Sequence, residues 1–332
     1  MLMKQMKKKY EKWHQEFIMN NFLKILISNR TIFLVVLIIV FSLISSIFLG
    51  TKFASLGNLK AVILGQTSIA IMTIGMMALL ISGVFDLSVG SIFALGSVFC
   101  GYFIKQMGMP YPMAMILALV CCGFLGAINA FVITKMGVNA LITTLATMGI
   151  FKGLAIIIGG AGIMGLPREF IAFGRTDFLG IPSPIWYFLI LLGIFSYLFN
   201  NVAYFRKYYF VGGNEKAAVL SGINVNNIRF SGYILSGLLA GFGGVLHASR
   251  LGASIPLAGS GLELQVIAAA VVGGASLVGG KGTILGGVLG AMFLALVFNV
   301  FVITGVSAYW IPVVNGIILI LAVYFHVIFK KE

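Results

Sequence analysis

Charge is what this chain lacks most. Only 9% of its 332 residues are Asp, Glu, Lys or Arg, and the acids number eight. Soluble domains carry about 25% charged and about 45–50% apolar residues. Here 60% are hydrophobic and the mean hydropathy is +1.10. So few charges cannot solvate a globule, and a soluble core has no room for that much apolar surface. A soluble enzyme and a disordered chain are both ruled out. Cysteine is scarce too: Cys100, Cys121 and Cys122 sit inside apolar runs with no metal-ligand spacing, which excludes a disulfide scaffold and points to plain helix residues. The composition is that of an all-α polytopic membrane protein.

Catalytic groups are equally thin. No two acids fall within helical reach inside an apolar span, and the three histidines, His14, His247 and His326, are isolated. Nothing is paired for metal or nucleophilic work. Two nucleotide-like patterns also fail. Gly160, Gly162 and Gly165 spell G-x-G-x-x-G but follow no strand of a βαβ unit, where that pattern has its meaning. Around Lys281, SLVGGKGT lacks both the first glycine of a phosphate loop and the Ser/Thr after its lysine. No catalytic residue, metal or cofactor is expected on this chain, and nucleic acid is not an expected partner.

What is abundant is apolar sequence, glycine and, at the N-terminus, lysine. The formal charge is +14, and seven of the 22 basic residues lie in the first 30. Residues 1–30 therefore read as a basic lead, either lying along anionic lipid with Trp13, Phe17 and Phe22 in the interface, or simply solvated. Residues 31–328 read as one transmembrane domain and 329–332 as a tail. A window of about 19–20 residues suits a helix crossing about 30 Å. It places ten spans near 31–50, 61–82, 88–105, 113–134, 140–159, 184–200, 228–248, 263–279, 284–304 and 308–328. With the N-terminus inside, 15 Lys and Arg fall on the cytoplasmic side against seven outside, so the positive-inside rule expects both termini to be cytoplasmic. The lead decides that count; without it the sides stand at eight against seven.

Two loops are long enough to hold something: an outer one over 160–183 and an inner one over 201–227. Forty-two glycines include small-xxx-small pairs at Gly237 and Gly241, and at Gly282, Gly286 and Gly290, a spacing that brings helices close in lipid. At an offset of 190, Gly83, Leu87, Gly90, Leu95 and Gly96 echo Gly273, Leu277, Gly280, Leu285 and Gly286. The echo is either a trace of duplication or chance in a glycine-rich chain.

Polar residues inside spans are costly and therefore informative. Asp86, in SGVFDLSVGS with Ser88, reads as a cap on the following helix and can also shape a gate. Lys152 lies past the middle of its span, either snorkelling outward or holding a carbonyl or acid between helices. Gln66, Asn129, Gln265 and Asn299 can line a polar path or equally glue helices together. Arg250 and Glu263 bracket an outer loop and are candidates to pair. In the inner loop, Glu215 to Leu220 can form one or two helical turns closed by Gly222, with Ala217 and Ala218 small enough to seat in another protein's groove.

Four motifs then coincide in order: DLSVGS at 86–91, TTLATMGIFKGLA at 143–155, GGNEKAAVLSGINV at 212–225, and IAAAVVGGASLVGGKGTILGGVLGA at 267–291. Over about 58–327 the chain resembles the permease subunits of ribose-type ATP-binding cassette (ABC) sugar importers. It departs in having Ser82-Gly83 where the family often has Gly-Gly, Lys152 where it often has Arg, and Phe205-Arg206-Lys207 where it often has Gly-Arg. The resemblance implies a ten-span permease fold in the bacterial cytoplasmic membrane, moving a monosaccharide or related polar solute inward. It implies three partners: a cytoplasmic ABC ATPase carrying ATP and Mg, a periplasmic or surface-anchored solute-binding protein, and a second permease, the same chain or a sister. It further implies that Gly213, Asn214, Glu215, Ala217, Ala218 and Gly222 couple to the ATPase. Arg168, Glu169, Arg175 and Asp177 in the outer loop are candidates to meet the binding protein. A secondary transporter and a structural membrane subunit are the rival readings; the first requires buried acids, which are few here.

Overall fold

A computed structural model describes residues 30–329. The basic lead apart from Arg30, and the last three residues, lie outside the described residues. In chain order the helices are α1 (Arg30–Leu49), α2 (Thr51–Ala54), α3 (Leu56–Ile81), α4 (Val89–Lys105), α5 (Tyr111–Thr134), α6 (Ala140–Gly159) and α7 (Arg168–Arg175). They continue as α8 (Ser183–Asn201), α9 (Ala203–Gly213), α10 (Glu215–Leu220), α11 (Val225–Leu251), α12 (Leu262–Val272), α13 (Ile284–Thr304) and α14 (Trp310–Phe329). Four two-residue strands, β1 (Ile163–Met164), β2 (Asp177–Phe178), β3 (Ile181–Pro182) and β4 (Ala253–Ser254), pair as β1 with β4 and β2 with β3.

Among the described residues seven helices, α1, α3, α5, α6, α8, α11 and α13, are long and apolar enough to cross a membrane, and the apolar parts of α4, α12 and α14 are shorter. Together they account for all ten expected spans. Local sequence sets their ends. Ser55, Asn139, Asn224 and Thr283 each accept a first-turn amide of the helix they precede, as N-cap residues do. Gly252 and Gly305 close α11 and α13 in the left-handed conformation.

The core centres on α11, which packs against α3, α4 and α5. Glycine makes the approach possible: a Cβ on Gly244 would strike the Phe93 carbonyl, and one on Gly126 the Tyr233 carbonyl. Gly237 and Gly241 both pack against Cys122, while Gly286 and Gly290 seat α13 on α12 at Gly273 and Ala269. Gly282 lies instead in the turn before α13, with φ +129°. The cysteines are free. On one face of the bundle, α9 and α10 lie with the ends of α3 and α12. On the opposite face, α7 covers the end of α11 through Phe170, whose carbonyl accepts from Ser249 Oγ.

Two spans are broken. α4 has 17 residues and α12 has 11, about 26 and about 17 Å at 1.5 Å per residue, against a hydrocarbon core of about 30 Å. Residues 82–88 leave the α9 face without helix, where Gly83 lies against Val278. They deliver α4 halfway along α6, with Ser91 Oγ donating to the Met148 carbonyl at 2.9 Å. Residues 252–261 descend from the opposite face. Ser254 Oγ donates to the Ser97 carbonyl at 2.6 Å, Pro256 lies beside Gly159, and Gly259 packs on the Gly90 backbone. α12 starts there. Non-helical backbone survives at membrane depth only where protein supplies its partners: the Tyr233 hydroxyl donates to the Phe85 carbonyl at 3.0 Å, Val84 N to the Leu79 carbonyl and Leu166 N to the Gly252 carbonyl, both at 3.1 Å, and Ala253–Ser254 pair with β1.

Three sequence expectations change. The helix expected over 263–279 stops at Val272, because Gly273 and Gly274, then Gly279, Gly280 and Gly282, cannot sustain one; glycine costs about 1 kcal/mol per helical position. Arg250 does not pair with Glu263: its Nη1 donates to the Leu64 carbonyl at 2.8 Å, and the descent of 252–261 carries Glu263 away to α4. In the 190-residue echo both segments turn on a left-handed glycine after a helix end, Gly83 and Gly274, but the second turn spans 273–283 against 82–88 in the first.

Overpacking a tight interior costs about 1–3 kcal/mol. Gly244→Ala should therefore lower the melting temperature of the purified protein in detergent by several degrees. Gly193→Ala, in open space on α8, should leave it unchanged or slightly raised.

Candidate functional site: an inner turn and an intramembrane polar cluster

The expected short helix is present as α10. Asn214 caps it, its Oδ1 accepting from Ala217 N at 3.0 Å. Gly222 (φ +77°) turns the chain back, with its own amide on the Val219 carbonyl and that of Ile223 on Ala218. Such a left-handed position suits glycine because it has no Cβ to clash. Glu215 is held by a fork from Arg229, with Nη2–Oε2 at 2.7 Å and Nη1–Oε1 at 3.4 Å. Both groups are partly exposed, so the pair fixes orientation more than it stabilises. Arg229, in the first turns of α11, was not anticipated as a partner.

Burial divides the two small residues. Ala218 is 3% exposed and faces the protein's own core, while Ala217, Val219 and Leu220 face out. Leu220 is 90% exposed, a large apolar side chain on a short polar-flanked helix. The outward apolar face is thus Ala217, Val219 and Leu220 rather than Ala217 with Ala218. Behind it, the Tyr204 and Tyr208 hydroxyls both reach Ser231 Oγ at 2.8 Å. Burial pushes the Tyr208 phenol well up from its ordinary value, so it remains a neutral hydrogen-bonding group.

This turn is joined to both broken spans through glycine. A Cβ on Gly212 would strike the Ile81 carbonyl and Gly280 N, Gly279 lies on Gly212 and Gly83, and Gly280 on Gly213. Gly280 N donates to the Ile81 carbonyl at 2.9 Å. The inner end of α3, the end of α9 and the turn that follows α12 therefore meet as bare backbone.

The expected path residues separate into two kinds. Gln66 and Asn299 join helices: Gln66 Nε2 donates to the Ala291 carbonyl at 3.3 Å, and Asn299 exchanges amide bonds with Asn58 at 2.8 and 3.0 Å. Gln265 is buried on α12. Asp86, Ser88 and Asn129 form one fully buried cluster. Asp86 Oδ1 accepts from Ser88 N at 2.7 Å and Ser88 Oγ at 2.6 Å, and Asn129 Nδ2 donates to Ser88 Oγ at 2.8 Å. Ser88 itself holds the N-cap position of α4, so Asp86 fixes the turn into the helix rather than capping it as expected. Lys152 stands apart from all of these, on the rim of a cavity of about 100 Å³ between α4, α6 and the 256–263 segment. Glu263 lines the same cavity. An acid in an apolar stretch was the available sequence signal for it.

On the face opposite α10, Arg168, Glu169, Arg175 and Asp177 are exposed. Arg175 Nε also donates to the Arg250 carbonyl at 2.6 Å, tying α7 to the end of α11.

Seven helices long and apolar enough to cross a membrane, with three shorter apolar ones beside them, define a polytopic all-α membrane protein. Residues 58–323 match the family described as branched-chain amino acid transport system / permease component, and the chain belongs to that family. It is 36% identical over 297 residues to the ribose import permease protein RbsC of Escherichia coli K12, covering 87% of this chain and 91% of that one. It is 38% identical over 275 residues to the L-arabinose transport system permease protein AraH of the same strain, covering 82% and 84%. To its D-allose transport system permease protein AlsC it is 37% identical over 262 residues, covering 78% and 80%. No solved structure matches. The chain is a transport permease subunit rather than an enzyme.

Removing Asn129 leaves Ser88 and Asp86 short of a buried partner, at a cost of about 1–3 kcal/mol. Asn129→Leu should melt several degrees below the parent protein in detergent, and Asn129→Asp, which keeps an acceptor but adds a second buried carboxylate, should melt lower still.

Proposed function

We propose that this chain is the membrane-spanning half of an ATP-driven importer for a monosaccharide or similar polyol, with the α10 face cytoplasmic. The carrying observation is α10 itself: a capped two-turn helix, whose preceding Gly212 and Gly213 are gripped by the end of α3 and by the turn that follows α12, with an exposed apolar side chain at its tip. Exposed apolar groups on a rigid, small helix suit insertion into a partner's groove. The partner is a cytoplasmic ABC ATPase that carries ATP and Mg; its closure moves α10, and the membrane helices reopen on the other side. The sugars that the relatives' names carry, ribose, L-arabinose and D-allose, support a sugar as cargo.

A solute-binding protein would dock on the opposite face, where Arg168, Glu169, Arg175 and Asp177 are exposed around α7 and the β2–β3 hairpin. The exposure of Lys152 supports a second permease as partner. Lys152 is exposed on α6, about 18 Å along it at 1.5 Å per residue, and a charge facing lipid near the bilayer centre is costly. A second permease, identical or sister, covers that face and leaves a polar path between the two. The basic lead supports an orientation with the α10 face in the cytoplasm of a bacterial inner membrane and both termini inside.

Leu220→Asp and Gly222→Val should each insert normally but retain less than a tenth of the ATPase on co-purification, with sugar uptake in vesicles falling in proportion. Parent-level association in both variants would remove α10 as the coupling element. Cysteine at position 175, in a background lacking Cys100, Cys121 and Cys122, should react with a membrane-impermeant thiol reagent in intact cells, and cysteine at position 216 should not. The reverse pattern would invert the topology.

A further inference from the structure

The first turns of α4 and α12 meet inside the bundle. A Cβ on Gly90 would collide with the Gly259 carbonyl, and one on Gly259 with the Gly90 carbonyl. Beside this contact lies the cavity of about 100 Å³, with Ser91, Lys152, Pro256, Ser260 and Glu263 in its wall. Sites for small molecules run to about 300–1,000 Å³, so this one is too small to hold a sugar. It is the size of a constriction.

Its charges are not those of a structural bridge. Lys152 is within electrostatic reach of Glu263, yet the one ion pair among the described residues is Arg229–Glu215. The two groups face across the cavity from different elements: Lys152 on a continuous helix, Glu263 on the first turn of a half-span. Discontinuous helices meeting inside a membrane recur where transporters bind and gate their cargo. A cationic side chain at a narrowing also bars cations while neutral solutes pass.

The half-spans also give the pair a lever. α12 runs from Leu262 to Val272, and the non-helical residues 273–280 carry the chain on to the glycine junction, where Gly279 and Gly280 lie on Gly212 and Gly213 just ahead of α10. Residues 82–88 run from the same junction at Gly83 to α4. A displacement of α10 therefore reaches both walls of the constriction through one 11-residue helix and one extended segment.

We propose that Lys152 and Glu263 form a charge-paired gate at the crossing of the two broken spans, closing the path between cargo molecules and parting to pass a neutral polyhydroxyl solute. The gate rests on the importer assignment above. It adds Glu263 and the crossing to the residues that control passage.

The test uses the permease reconstituted with its ATPase and binding protein in vesicles, with labelled D-ribose, L-arabinose and D-allose as probes. Uptake of none of them by the parent complex would refute the sugar assignment, whatever the gate does. With parent uptake established, Lys152→Glu and Glu263→Lys should each slow uptake at least tenfold, and the double reversal should return to within threefold of the parent. A double reversal no faster than the slower single variant overturns the gate, as do single variants at the parent rate. Co-purification of the ATPase reports folding in every variant. If the reversals fail to insert, Lys152→Met and Glu263→Gln replace them. A double variant no slower than either single supports the pair, and losses that multiply independently overturn it.

Discussion

Backbone that leaves its helix inside a membrane must find every hydrogen-bond partner within the protein. That constraint organises this structure. Two of the ten spans, those containing α4 and α12, spend part of their length as extended chain. Each such stretch is supported by tight neighbours: Ser254 on Ser97, Gly259 on Gly90, Gly280 on Ile81, and the Asp86–Ser88 turn at the start of α4. Because extended backbone approaches other backbone only where side chains are missing, glycine gathers at these points. The apparent excess of glycine is the cost of breaking helices in lipid.

The same constraint links the two ends of the mechanism. The inner turn and the intramembrane cavity are far apart in sequence, yet both abut the broken spans. α12 and the glycine turn that follows it join them. The long helices α3 and α11 hold the frame, and the broken ones are the elements free to change their angle without exposing unsatisfied backbone to lipid. Coupling between distant sites needs a physical element with two arrangements, and the half-spans are suited to be that element.

Much of this was legible in the sequence. Apolar windows located all ten spans, because hydropathy and length suffice wherever a helix is continuous. The helical turns read over Glu215 to Leu220, closed by Gly222, match α10 in its observed bounds; the cap from Asn214 was not anticipated. Asp86 was read as a helix cap; it sits in the turn before α4 and takes the Ser88 amide, while Ser88 holds the cap position. The failures share one cause. Hydropathy treats a glycine-rich apolar run as helix, so 263–279 read as one continuous span. The descent of 252–261 was then invisible, and Glu263 was assigned to a loop with Arg250 rather than to a cavity with Lys152. Burial is a second blind spot: adjacent Ala217 and Ala218 look alike in sequence, but one faces the core and the other solvent.

The central claim is that an ATPase, acting through α10, drives solute through this chain. Reconstitution of the permease in vesicles with its binding protein outside, and with or without the ATPase and Mg-ATP inside, tests it most directly. Accumulation of labelled sugar against its gradient only when ATPase and Mg-ATP are both present, and unaffected by dissipating proton and sodium gradients, is the predicted result. Accumulation without the ATPase, collapsing when an ion gradient is removed, would contradict it.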